Sequence, residues 1–174
     1  MNAIAEVKGL YKIVALKRLR QTEGVLFDLI PNDFFEGLGG VDRVIHASHA
    51  LSPGPVGDVA RPWYMHLHQS DNLVVLHGER HIDLYSVAHG KIERFVVTKD
   101  KIWHNGELVA DQPAVLCWPT HVFHRVESKA QGSASMNFAQ RSSDFDIRYN
   151  FSIYDLDTET GAYRVIREGH EDQF

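Results

Sequence analysis

The sequence predicts an all-β protein, an antiparallel barrel, jelly roll or sandwich, and three observations carry the prediction. Period-2 alternation of apolar and polar residues dominates the chain. Turn signals with glycine separate the runs: "LHGE" (76–79), "AHGK" (88–91), "HNGE" (104–107) and "TETG" (158–161). Helical periodicity is almost absent, and a dozen short strands with tight turns favour a closed antiparallel structure.

Taken in order, the alternating runs place strands at "YKIVALKRL" (11–19), "GVLFDLI" (24–30), "DRVIHA" (42–47) and "WYMHLHQ" (63–69). "NLVVLH" (72–77), "RHIDLYSV" (80–87), "KIERFVVT" (91–98) and "AVLCW" (114–118) follow, then "HVFHRVE" (121–127) and "SASMNFAQ" (133–140). "NFSIYDL" (150–156) and "AYRVIRE" (162–168) form a closing hairpin around "DTETG". "PNDFFEGLGG" (31–40) is the one expected helical turn. "SPGPVGDVARP" (52–62), with three prolines and two glycines, is a loop inside the domain, because strands on both sides still need partners. "LVVL" and "AVLC" are apolar at consecutive positions, so both faces of those strands are expected to be covered. The 174 residues suit one domain, 1–174, with a core at about 60–140 and flanking strands at 1–50 and 148–170.

Composition narrows the function classes. A net charge of −5 supplies no basic excess for nucleic acid or an acidic membrane, and "LKRLR" (16–20) reads as a solvated strand face. No apolar run reaches the ~18 residues of a membrane span, and no signal peptide is legible. The single cysteine, Cys117, reads as a core residue and fits a reducing cytoplasm. With 11 histidines, the composition points to a search for a site.

The densest segment is "YMHLH". Residues i and i+2 of a strand share a face, so Tyr64, His66 and His68 are expected to point together into the barrel. Two imidazoles side by side can bind one metal ion at ~2.0–2.2 Å, but at least a third ligand is needed, usually from another strand. "WPTHVFHRVES" supplies one: Val122, His124 and Val126 form the inward set, and His121 sits at the mouth beside the turn. His77 and His81, with Asp83 and Tyr85, read as polar residues of a half-exposed strand, with cavity lining as the alternative. His46 and His49 read as loop residues, and Trp103–His104 as part of a hairpin.

These two segments resemble the two motifs of the cupin superfamily, RmlC-like jelly-roll barrels that usually hold a divalent metal. The first motif is His, one residue, His, three or four residues, Glu, six residues, Gly. The chain has His66, Leu67, His68, two residues, Asp71, six residues and Gly78. In the second motif Pro119 and His124 match, whereas Pro113, His121 and Ser128 replace two glycines and an asparagine. The resemblance covers roughly residues 60–140. It implies His66, His68 and His124 as metal ligands, with Asp71 in the place of the carboxylate. The missing residue and the shorter acid leave Asp71 four roles: direct ligand, ligand through water, acceptor that orients a histidine, or holder of the turn.

Three functions follow as expectations. The first is a metal-dependent enzyme acting on a small polar molecule with Fe, Zn, Ni or Mn, of dioxygenase or isomerase type, with Tyr64 and His121 beside the open positions. The alternative is a metal-free epimerase or isomerase of a nucleotide-linked or free sugar, with a histidine paired to a carboxylate and Tyr64 or Tyr85 as acid. The third is a non-catalytic small-ligand-binding cupin. The terminal strands extend the sheet, cover its edges or pair across an interface, and a homodimer is expected, as the resemblance also implies.

Overall fold

The computed structural model describes residues 3–173. It is built almost wholly of antiparallel strands: β1 (Ala3–Val7), β2 (Tyr11–Ala15), β3 (Lys17–Thr22), β4 (Val25–Leu29), β5 (Leu38–His46), β6 (Leu51–Ser52) and β7 (Trp63–Met65). After them come β8 (Gln69–Tyr85), β9 (Glu93–Thr98), β10 (Ile102–His104), β11 (Glu107–Ala110), β12 (Ala114–Trp118), β13 (Phe123–Arg141), β14 (Ile153–Leu156) and β15 (Tyr163–Arg167). Among the described residues no helix is long and apolar enough to cross a membrane.

Two strands organise the fold. β8 and β13 run antiparallel along most of their length, and the other strands add to their edges in the order β1-β2-β12-β8-β13-β7-β14-β15. β5 and β6 also pair with β13, β9 pairs with β8, and the β10–β11 hairpin continues from β9. The sequence predicts turns where these long strands bend. "LHGE" is instead a bulge within β8, and residues 129–132 lie opposite Glu79 alone, between Ser128↔Arg80 and Ser133↔Gly78. Gly78 and Gly132 carry φ of +67° and +66°, the left-handed region open to glycine. At this crossing the other edge of β13 passes from β6 to β5, while β8 stays paired with it on both sides.

Packing explains the apolar runs. Ile13, Leu73, Val75, Ile82, Leu84, Phe95 and Leu116 fill the barrel interior. Val74 and Val115 face outward, yet are buried with Val14, Phe138 and Phe34, which comes from a single 3-10 turn at Asn32–Phe35. This is the two-sided burial predicted for "LVVL" and "AVLC", although Leu76 is exposed. A third cluster joins Trp63, Met65, Tyr85, Phe123 and Tyr154, where the predicted C-terminal hairpin docks through Ile153↔Tyr64 onto β7. The run at 11–19 divides at Leu16: β2 joins the main sheet, and β3 turns away with β4 as a separate two-stranded sheet.

Candidate functional site

The barrel interior opens into a cavity of about 140 Å³, lined by side chains from β5, β7, β8, β12 and β13. Its floor is a cluster of His66, Asp71 and His124, each nearly inaccessible to solvent, with donor atoms within 4.8 Å of one another.

His66 arrives there because β7 stops at Met65. The carbonyl of His66 accepts from the His121 amide at 2.8 Å, and that of His68 accepts from the Ser142 amide at 3.0 Å. These bonds turn the backbone and cancel the strand parity. His68 is therefore half-buried away from the cluster, with Nδ1 3.3 Å from Ser142 Oγ, and the expected His66–His68 pair does not form. His121 is exposed at φ +64° and does not line the cavity; its backbone, rather than its ring, serves the site. His124 and Val126 face inward as predicted, while Arg125 lies over the Trp63 ring and bonds Asp83 at 2.9 Å.

Hydrogen bonds orient both rings. His66 Nδ1 donates to the Asn150 carbonyl, and His124 Nδ1 donates to the Val122 carbonyl at 3.2 Å. Each Nε2 is thereby left to face the cluster. His66 Nε2 lies 3.3 Å from Asp71 Oδ2. Two lone pairs would repel there, so the approach is favourable with a proton on Nε2 or with a cation between them. Asp71 Oδ1 accepts from Gln69 Nε2 at 2.8 Å and from Asn137 Nδ2 at 2.6 Å. Burial alone would raise the Asp71 pKa, but the charge and hydrogen bond of His66, the charge of His124 and the Asn137 amide outweigh it and hold the carboxyl well below the usual range. His124 is pushed down to about 4 by burial and then by His66, so it is a neutral acceptor at physiological pH. Tyr64, whose ring centroid is 5.9 Å from that of His124, has its pKa raised by burial and keeps its phenolic proton.

The donor set suits a divalent cation chemically. Two Nε2 atoms and one carboxylate oxygen converge, and each Nδ1–H is fixed by a backbone carbonyl, as in metal-bound histidines. Gln69 and Asn137 would complete the support of the carboxylate.

Several cavity residues escape sequence reasoning. His46 is a strand residue, buried with Nδ1 3.1 Å from Ser128 Oγ; burial, then the nearby Arg80, lowers its pKa to about 4. The bulge at Leu76, the extra residue of β8 between Val75↔Ser135 and His77↔Ala134, inverts strand parity, so Arg80 and Ile82 turn inward. His81, Asp83 and Tyr85 take the other face: His81 bonds Glu79 at 2.8 Å, and Tyr85 packs in the outer aromatic cluster. Asp42, Gln69, Trp118 and Asn137 complete the lining, and no motif spacing marks them.

Neither a protein-family model nor a curated protein matches the chain. Solved structures do. QdtA, a sugar 3,4-ketoisomerase from Thermoanaerobacterium thermosaccharolyticum solved in complex with TDP, is similar at a TM-score of 0.56 and 11% identity, over 80% of this chain and 85% of that one. The rmlC epimerase of Mycobacterium tuberculosis is similar at 0.57 and 11%, over 83% and 70%. A dTDP sugar isomerase from Desulfovibrio desulfuricans G20 is similar at 0.57 and 14%, over 81% of each chain. The fold is that of the RmlC-like cupins.

Proposed function

We propose that the chain is a metal-free isomerase or epimerase that moves a proton at a carbon next to the carbonyl of a sugar. The observation that carries this reading is the buried His66–Asp71 pair, which shares one cavity with the unprotonated Nε2 of His124. The likeness to a ketoisomerase and an epimerase supports the same class. His124 Nε2 takes the proton from carbon. The His66 Nε2–H, held by Asp71, donates to the carbonyl oxygen as enolate charge develops there. On the return step Tyr64 gives its phenolic proton to the carbon, the enol oxygen gives its proton back to His66 Nε2, and the proton on His124 Nε2 passes through solvent to the Tyr64 phenolate, which resets the site. Each well-placed acid or base of this kind contributes about 10²- to 10⁴-fold.

A second reading has its own support in the two-histidine, one-carboxylate donor set. His66, Asp71 and His124 would hold the divalent cation, which would polarise the substrate carbonyl as a Lewis acid. Chelation separates the two readings. Protein dialysed against EDTA is expected to convert its sugar at an unchanged rate, with substoichiometric metal by elemental analysis. Loss of activity, restored by Zn, Mn or Fe(II), would transfer the assignment to the second reading.

The reading includes a small-molecule substrate, a reducing cytoplasm suited to the lone Cys117, and a homodimer. The β3–β4 hairpin exposes Leu19, Val25, Leu26, Phe27 and Leu29, and a two-stranded sheet is marginal without cover. Light scattering at micromolar concentration is expected to give the mass of two chains, and a monomer would refute the dimer.

A further inference from the structure

We infer that the substrate is a sugar acid whose carboxylate is seated on Arg80, which rests on the proton-transfer reading above and narrows it. Arg80 is 3% exposed and lines the cavity. Its Nε donates to Ser133 Oγ at 3.1 Å and one Nη to the Val44 carbonyl at 3.1 Å, both neutral acceptors. Among the described residues no carboxylate lies within ion-pair distance of it. Burial lowers its pKa only to about 10, so it stays charged. A buried charge without a counter-ion is unfavourable, and the natural remedy is an anion brought by the ligand.

The acids already in the cavity are committed elsewhere. Asp71 is bonded to His66, Gln69 and Asn137, and Asp42 accepts from Asn137. His46, beside Arg80, is neutral and bonded to Ser128.

Register gives the length of the seat. Asn137 pairs with Asp42, Ser135 with Val44 and Ser133 with His46, so these rungs run from the Asp71 end to the Arg80 end. The guanidinium reaches the Val44 rung, one pleat repeat or roughly 7 Å from the Asp42 rung. That spacing matches a short carbon chain with a carboxylate at one end and a carbonyl at the other. One further group lacks a partner: Trp118 Nε1, in a cavity-lining residue, is buried with no hydrogen bond. A hydroxyl of a sugar acid would satisfy it. A nucleotide-linked sugar fits less well, since about 140 Å³ lies below the roughly 300 Å³ at which pockets for larger ligands begin. One guanidinium with two donors already engaged matches a monoanion better than a phosphate.

Isothermal titration of the intact protein with D-glucuronate, D-galacturonate, their neutral parent sugars, glucose 6-phosphate and dTDP-glucose tests this. At least one uronate is expected to bind tenfold or more tighter than its neutral parent, and tighter than the phosphate and the nucleotide sugar. Arg80→Met is expected to remove the acid preference, and Arg80→Lys to keep part of it. If Arg80→Met does not fold, Trp118→Phe, which removes the unpaired indole N–H of a cavity-lining residue, is expected to weaken uronate binding severalfold. Equal affinity for acid and parent, tightest binding of dTDP-glucose, or an acid preference unchanged in the variants would overturn the seat. Failure of the proton-transfer reading is visible separately: acid binding that depends on Arg80, with no conversion of any sugar, would retire the chemistry and leave the seat.

Discussion

His66→Asn is expected to lower turnover by about 10²- to 10⁴-fold, with a much smaller change in KM. The asparagine amide can still donate to the Asn150 carbonyl, so the local backbone is retained. What disappears is the second nitrogen, the one 3.3 Å from Asp71 Oδ2 to which the proposed mechanism assigns the proton for the substrate oxygen. Asp71 keeps its bonds from Gln69 and Asn137, so the fold survives with a loss of about 1–3 kcal/mol for one unpaired carboxylate oxygen. Steady-state kinetics with circular dichroism check both halves. A variant that keeps a tenth or more of wild-type turnover would remove His66 from the chemistry.

Gly78→Ala costs at least about 3 kcal/mol of stability. An added Cβ would lie 2.1 Å from the Gly132 carbonyl oxygen and 3.1 Å from the Ser133 Cα, both backbone atoms of the crossing strand. Gly132 has no room to retreat, because its own Cβ position lies 2.4 Å from the His46 carbonyl oxygen. The comparison is Gly90→Ala: φ is +70°, but nothing lies within 4 Å of the added carbon. Only the left-handed backbone penalty of about 1–2 kcal/mol applies there. Urea unfolding of the two variants separates clash from backbone strain, and equal losses would contradict the crossing geometry.

The contrast between these glycines explains what was legible in the sequence. Period-2 alternation records which residues can line a pleated face, so most strands, the two-sided burial of "LVVL" and the closing hairpin follow from it. The inward turn of His124 was legible for the same reason. Bends are written elsewhere. "LHGE" and "AHGK" look alike locally, yet Gly78 sits where β13 crosses and Gly90 sits in an open turn. Past the neighbouring bulge at Leu76 the parity inverts, which sends Arg80 rather than His81 into the cavity. The pairing of His66 with His68 fails for a related reason. Amides of His121 and Ser142, distant in sequence, turn the backbone after Met65. Asp71 reaches the cluster despite the missing residue because β8 has already begun at Gln69, and Gln69, Asp71 and Leu73 share its cavity-facing side.

The most direct test of the central claim, proton transfer by His66, Asp71 and His124 without a metal, is solvent exchange followed by proton NMR. Intact protein in D₂O with EDTA is incubated with a panel of sugars and sugar acids. Deuterium is expected at the carbon beside the carbonyl of the converted sugar, and the exchange is expected to vanish in His66→Asn and His124→Gln. No exchange with any sugar, or exchange that appears only when a divalent cation is restored, would contradict the account.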